Sequence, residues 1–525
     1  MPGKIDKLIV THFGALQGKY GRQGLQKIRK ALADLATADK ARGLETVSVG
    51  VDDSSAMRKY SLTPVKDASD PAKNKAAIDG LYQKVAPDYI LLLGATDVIP
   101  HQDLKNPLYS GSTGDDPDEF AYGDLPYACD APYSQNPQDF FGPVRVVGRL
   151  PDITGGSDPA YLLGLIATAT NYKAVDRNSL TSYFAVTAQI WKSSTELSVT
   201  NTFGNASLLQ DVPPSSSNWP QADLQKPMHF FNCHGASNTP QFFGQPSSGR
   251  RDYPVALDAS YITGKIQPGT IAAAECCYGA QLYALSSVQP QMGVCNVYLG
   301  SQGYGFFGST TIAYGPASGN AQADLICQYF LQSILAGASL GRAALQARQK
   351  FMRSASPADP SDIKTLAQFN LYGDPSLTAV AADPTVKALE VKTPRAEFEA
   401  ERVERHDRRR QLLNQGHSLN REPKARRART PSPKARRALV SKAESLGFAP
   451  GDSLAFTLRY EEPAKRGPRL LRQKSQLPRG YHVLFLQRKS REDRAESASG
   501  VRPIEMLIGK EVAGRIVSIS HVLSR

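Results

Sequence analysis

MHFFNCHG (228–235) and TIAAAECCYG (270–279) are two short apolar runs, each ending at a glycine turn and each handing a reactive side chain to that turn. Runs of this length and composition read as strands buried on both faces, as in a parallel sheet covered by helices. Consecutive parallel strands deliver their C-terminal ends to one sheet edge, where ligands bind. His234 and Cys277 would then face each other across a cleft.

The surrounding sequence repeats the alternation. SYFAVTAQIW (182–191) precedes the pair and YGFFGSTTIAYG (304–315) follows it, with helices at 321–336 and 340–353 and an end marked by FNLYGDPSL (369–377). Upstream, KLIVTHF, ETVSVGV and DYILLLGATDVIP read as strands. Between the first two lies a helix with apolar positions at Leu25, Ile28, Leu32 and Leu35, and another covers 74–86. Residues 101–142, rich in Asp, Pro, Gly and Tyr, read as a long functional loop before VRVVGRLPDI. The fold class is therefore α/β, with two α/β sandwich subdomains of mostly parallel sheet, at 1–175 and 176–382. Residues 383–440 form a basic, Arg-rich linker in which PKARRA occurs at 423–428 and again at 433–438. A small β-rich module is expected over 441–525, from SLAFTLRYEE, GYHVLFLQRK and GRIVSISHVL.

A chain of 525 residues has room for several cores, and 41% hydrophobic with 21% charged residues is the balance of a soluble globular protein. No apolar run approaches the roughly 18 residues a spanning helix needs, and no signal-peptide core follows the start, so a cytoplasmic protein with no membrane partner is expected. Six cysteines make no disulfide framework and show no zinc-like spacing, so reduced thiols and no required cofactor are expected, with calcium left open. The net charge of +13 is unevenly placed: residues 387–525 hold 32 of the 62 Lys and Arg but only 16 of the 49 Asp and Glu.

A thiolate is the nucleophile that attacks a peptide carbonyl, and a nearby imidazole assists its formation and protonates the leaving amine. Gly235 leaves backbone N–H groups accessible, and with the Cys277 amide it would hold the developing oxyanion. Either element alone is ordinary, since cysteines at strand ends are mostly small core residues and His-Gly is common in turns. Their order on adjacent apolar strands is what joins them.

The pairing HFFNCHG and IAAAECCYG resembles the signature shared by caspases, metacaspases, legumain, separase and gingipains. DYILLLGATDVIP, the stretch from YGDLPYACD to VRVVGRLP, YGFFGSTTIAYG and FNLYGDPSL are similar, in the same order, to segments of gingipain-type cysteine peptidases, over roughly residues 85–380. The resemblance implies a caspase-like fold and an endopeptidase acting on protein or peptide substrates, linked by analogy to cell death or defence. It puts the nucleophile on Cys277 and not Cys276, with Cys276 on the opposite face of the sheet. Glu275 would share the face of Cys277, either turning away or orienting the cleft. The family's histidine-orienting acid aligns with Gln189, so a dyad is implied in place of a triad. In arginine-type members an acid after the same strand pairs with the substrate, and Glu196 stands near that place, where a surface glutamate is the alternative reading. Tyr314 would wall the pocket or pack in the core. A preference for Arg would make the PKARRA repeats sites of self-processing between residues 395 and 440.

Two other functions compete. The chain could be a catalytically inactive caspase-like scaffold with a regulatory protein partner. It could instead hold nucleic acid or an acidic partner through its basic C-terminal region, although no basic patch interleaved with aromatics favours nucleic acid there.

Overall fold

In the computed structural model of the chain, the described residues are 4–381, with breaks at 110, 112–115, 287–288, 317–318 and 356–358, followed by 426–427, 432–448, 453–460, 481–488, 499–501, 503–512 and 515–525. The apolar runs upstream form the parallel strands Lys7–Thr11, Thr46–Gly50, Tyr89–Leu93 and Val146–Leu150, each short and almost wholly buried. The helical segment Phe13–Ala41, kinked at Gly21, lies against them through Leu25, Ile28, Leu32 and Leu35, all buried at helical spacing. Each such leucine contributes about 1.5–3 kcal/mol by leaving water.

The second set is parallel as well: Tyr183–Ala188, Leu209–Val212, Met228–Asn232, Ile271–Ala274 and Gly305–Ser309. The two sets meet in one ten-stranded sheet. The joint is Phe369–Tyr372, from the FNLYGDPSL block, which runs antiparallel to Gly305–Ser309 and parallel to Val146–Leu150. The order across the second half places Ile271–Ala274 between Gly305–Ser309 and Met228–Asn232, in register Ala274↔Phe231. The histidine and cysteine turns therefore leave the same edge side by side.

The described residues of the 101–142 loop are tied down. The loop carries the hairpin Gln102–Lys105 with Phe120–Gly123, and Arg149 clamps Asp124 through Nε at 2.9 Å and Nη2 at 2.5 Å. Arg149 also donates to the carbonyls of Gly94 and Ile99, so the buried guanidinium is paired on every side.

The C-terminal β region is an antiparallel sheet ordered Tyr314–Pro316, Arg515–Ser524, Glu505–Val512, Tyr481–Arg488, Ser453–Tyr460 and Arg426–Arg427. It is not a separate layer, because its edge strand Tyr314–Pro316 belongs to the YGFFGSTTIAYG block beside the cysteine. Period-two alternation gives it two apolar faces. Val483, Phe485, Met506, Ile508 and Val522 pack on one side with Ile312, Tyr314 and Cys277. Leu484, Leu486 and Leu507 pack on the other with Ala435, Leu439 and Ala443 of the helix Pro433–Ser445.

That helix contains the second PKARRA copy, which sequence assigns to a flexible linker. Ser432 caps it by accepting from the Ala435 amide, Pro433 stands in its first turn, and Ala435 and Leu439 fall on one face. The first copy lies largely outside the described residues, as do most of the positions where self-processing is expected.

Candidate functional site

Beyond Asn232 the chain forms a two-residue strand, His234–Gly235, paired with Gln241–Phe243. Beyond Ala274 it stays in register for one residue, with the Glu275 N–H on the Phe231 carbonyl at 2.8 Å, and then turns at Cys277, Tyr278 and Gly279. Gly235 and Cys277 touch through their backbones. A Cβ at Gly235 would collide with the Cys277 carbonyl, so only glycine permits the approach.

His234 is buried under the edge of Trp191, ring centroids 4.4 Å apart, with Tyr253 edge-on at 5.1 Å. Its Nε2 meets the Gln245 Oε1 at 2.8 Å. Gln245 is held in that orientation because its amide nitrogen donates to the Gly249 carbonyl at 3.2 Å. His234 Nε2 must therefore carry the proton, which leaves Nδ1 as the nitrogen that exchanges protons in the cleft. Burial lowers the His234 pKa to about 4, against the raising effect of Gln245 and with a smaller lowering from the Arg525 charge. The histidine thus has a neutral orienting partner, Gln245. Gln189, aligned with the family's acid, instead accepts from the Ser247 amide at 2.9 Å.

Cys277 is buried against the C-terminal sheet, and its Sγ lies 3.5 Å from the Ala313 carbonyl. Thiol and imidazole are brought to one edge but each hydrogen-bonds elsewhere. Burial pushes the thiol pKa up, only partly offset by Ala313 and the Lys364 charge. Cys276 sits apart, in the core beside Cys233, with its Sγ toward the Phe231 carbonyl. The turn is braced by the 101–142 loop: Asp118 accepts from the Tyr278 hydroxyl and the Ile312 amide, both at 2.8 Å, and Asp116 accepts from the Tyr314 hydroxyl at 2.9 Å. Lys364 bridges the two carboxylates. The Tyr314 side chain thus turns toward Asp116 beside Cys277, and its backbone pairs with Ser524.

The chain's own residue 525 reaches into this turn. The N–H groups of Cys277 and Gly235 both donate to the Arg525 backbone oxygen, at 3.1 and 3.5 Å. Its side chain is fully buried: Nη2 donates to both oxygens of Asp324, at 2.9 and 3.2 Å, and to the Pro316 carbonyl. Trp191 covers the guanidinium, with Cζ 4.5 Å from the ring centroid. A Cβ at Gly315 would fall inside the guanidinium, so this glycine leaves the pocket its depth.

Asp324 stands in the first turn of the helix Gln322–Leu335, where its oxygen also accepts from the Ala321 amide and the helix dipole favours a negative charge. Glu275 turns away from the thiol and toward Asp324. Burial and the Asp324 charge push its carboxyl well above the ordinary range, so the two acids hold one negative charge against one guanidinium. Glu196, half-buried on the helix Lys192–Phe203, takes no part in the guanidinium's contacts.

Sequence reasoning did not single out Gln245, Trp191, Gly315, Asp324 or Arg525. Among the described residues no group of three or more His, Cys, Asp or Glu could hold a metal ion, and no helix is long and apolar enough to cross a membrane.

No protein-family model matches the sequence. No curated protein matches it either. A solved structure described as "Structure of Protease" overlays at a TM-score of 0.44 with 14% identity, covering 99% of this chain and 97% of that one. The Saccharomyces cerevisiae separase–securin complex overlays at 0.31 with 10% identity, covering 60% of this chain and 18% of that one.

Proposed function

We propose that the chain is a cysteine endopeptidase of caspase-like fold that cleaves after arginine, with Cys277 as nucleophile and His234 as its proton-transfer partner. One observation carries the reading: an arginine fills a buried pocket ending in a carboxylate while its backbone oxygen lies on the amides of Cys277 and Gly235. An acyl-transfer site must hold the residue before the scissile bond in that relation.

In the reaction, the Cys277 thiol gives its proton to His234 Nδ1 and Sγ bonds to the substrate carbonyl carbon. The oxygen takes the electron pair and the two N–H groups hold its charge. Collapse breaks the C–N bond, the imidazolium returns the proton to the leaving amine, and a thioester remains. Water, losing a proton to His234, attacks the thioester, and the thiol leaves with an acid product. Gln245 keeps the tautomer constant through both halves. A neutral partner stabilises the imidazolium less than a carboxylate would, which favours a slow enzyme.

The pocket supports arginine over lysine, since Trp191 offers a flat face to a planar cation and Asp324 two oxygens. A positional peptide library read with wild type and Cys277→Ala tests this. Cleavage after Arg that vanishes in the variant is expected. Equal signals, or none from either with the pocket accessible, would leave the inactive scaffold as the better reading.

A further inference from the structure

The strand that brings Arg525 to the site is anchored at both ends of its course. Arg515–Ser524 pairs antiparallel with Glu505–Val512 along its length, and its last turns pair on the other side with Tyr314–Pro316, in register Tyr314↔Ser524 and Pro316↔Val522. The Ser524 N–H donates to the Ile504 carbonyl at 2.8 Å, and the Arg525 N–H to the Ala313 carbonyl at 3.0 Å. Val522 is buried in the cluster that contains Cys277. Strand addition onto an exposed sheet edge, with one side chain in a pocket, is how extended peptides are held. This segment therefore makes, from within the chain, the contacts a substrate would need: an edge strand, a filled pocket and an occupied pair of oxyanion donors.

We propose that residues 515–525 are a built-in occupant of the substrate groove, holding the site latent until Arg525 is displaced. The proposal rests on the peptidase reading only for its consequence; occupancy itself does not need chemistry at Cys277. The state of the pair agrees with latency. The closed site keeps the imidazole and the thiol both neutral, by burial first and by the Arg525 charge on His234 second. An intramolecular occupant competes at an effective concentration of about millimolar, so an external peptide of similar affinity at micromolar concentration is excluded roughly a thousandfold.

Binding of p-aminobenzamidine, followed by its fluorescence, reads the pocket directly in full-length Cys277→Ala protein, where no self-cleavage interferes. With Arg525 present, no saturable binding is expected. Arg525→Ala should open a saturable site, weakened about thirtyfold by adding Asp324→Asn. Equal binding with and without Arg525, or none after its removal, overturns the proposal. Where the Ala variant fails to fold, Arg525→Met keeps the aliphatic stem on Trp191, removes the cation, and is read the same way.

Turnover of an arginyl amide by Arg525→Ala with Cys277 intact separates the two ideas. A competing internal occupant predicts that KM falls about tenfold or more on its removal while kcat stays within about twofold. Unchanged KM with good turnover sinks the latency and leaves the peptidase standing. Amidine binding gained without turnover from any variant keeps the occupant and removes the peptidase.

Discussion

The two acids at the base of the pocket give the sharpest quantitative expectation. Asp324 holds the Arg525 guanidinium through both oxygens, and Glu275 beside it is kept protonated by burial and by the Asp324 charge. Losing a charged partner in a dry site costs about 3–5 kcal/mol when nothing replaces it. Here something does, because removing the Asp324 charge frees Glu275 to ionise and take the cation. In the Cys277→Ala, Arg525→Ala background, Glu275→Gln should therefore change p-aminobenzamidine affinity less than about threefold, since it removes no charge. Asp324→Asn should weaken it about thirtyfold, roughly 2 kcal/mol. The double variant should lose about a thousandfold, roughly 4 kcal/mol, more than the two singles combined. A fluorescence titration of the four proteins forms a double-mutant cycle. Additive losses, or a Glu275→Gln loss as large as that of Asp324→Asn, would refute the shared-charge account.

Other expectations follow from individual contacts. Gly315→Ala places a methyl where the guanidinium lies, so arginyl-substrate kcat/KM in an Arg525→Ala background should fall about a hundredfold, measured by amide hydrolysis. Cys277→Ala should abolish hydrolysis and thiol-probe labelling, whereas Cys276→Ala, in a separate core, should keep labelling within about threefold and lose about 1 kcal/mol of stability by denaturation. His234 is lowered to about 4 by burial first and by the Arg525 charge last; losing that charge in Arg525→Ala should move its NMR titration midpoint upward, with Trp191 and Tyr253 still packed on the ring. The linkage has a definite sign. His101 and His234, both near 4, and His229, near 3, bind protons more readily unfolded than folded. Stability should thus fall as pH drops from about 6.5 through 4, by thermal denaturation, and a flat profile there would contradict it.

What the sequence by itself determined is local. Runs of buried apolar residues made strands, three-to-four spacing made the helical stretch carrying Leu25, Ile28, Leu32 and Leu35, and two glycine turns put His234 and Cys277 at neighbouring strand ends. Those features depend on a few consecutive residues and on sterics that act over one or two turns. The pocket is another matter. Trp191, Gly315, Asp324 and Arg525 lie on four separate elements, and no spacing in the chain relates them. Glu196 has the right charge near the expected place, and only packing tells it from Asp324, which sits at a helix start facing the site. The last strand shows the limit best. GRIVSISHVL reads from its alternation as one more strand of a terminal module, but which edge it meets is set by long-range burial. That burial carries it onto Tyr314–Pro316 and carries Arg525 to the amides of Cys277 and Gly235.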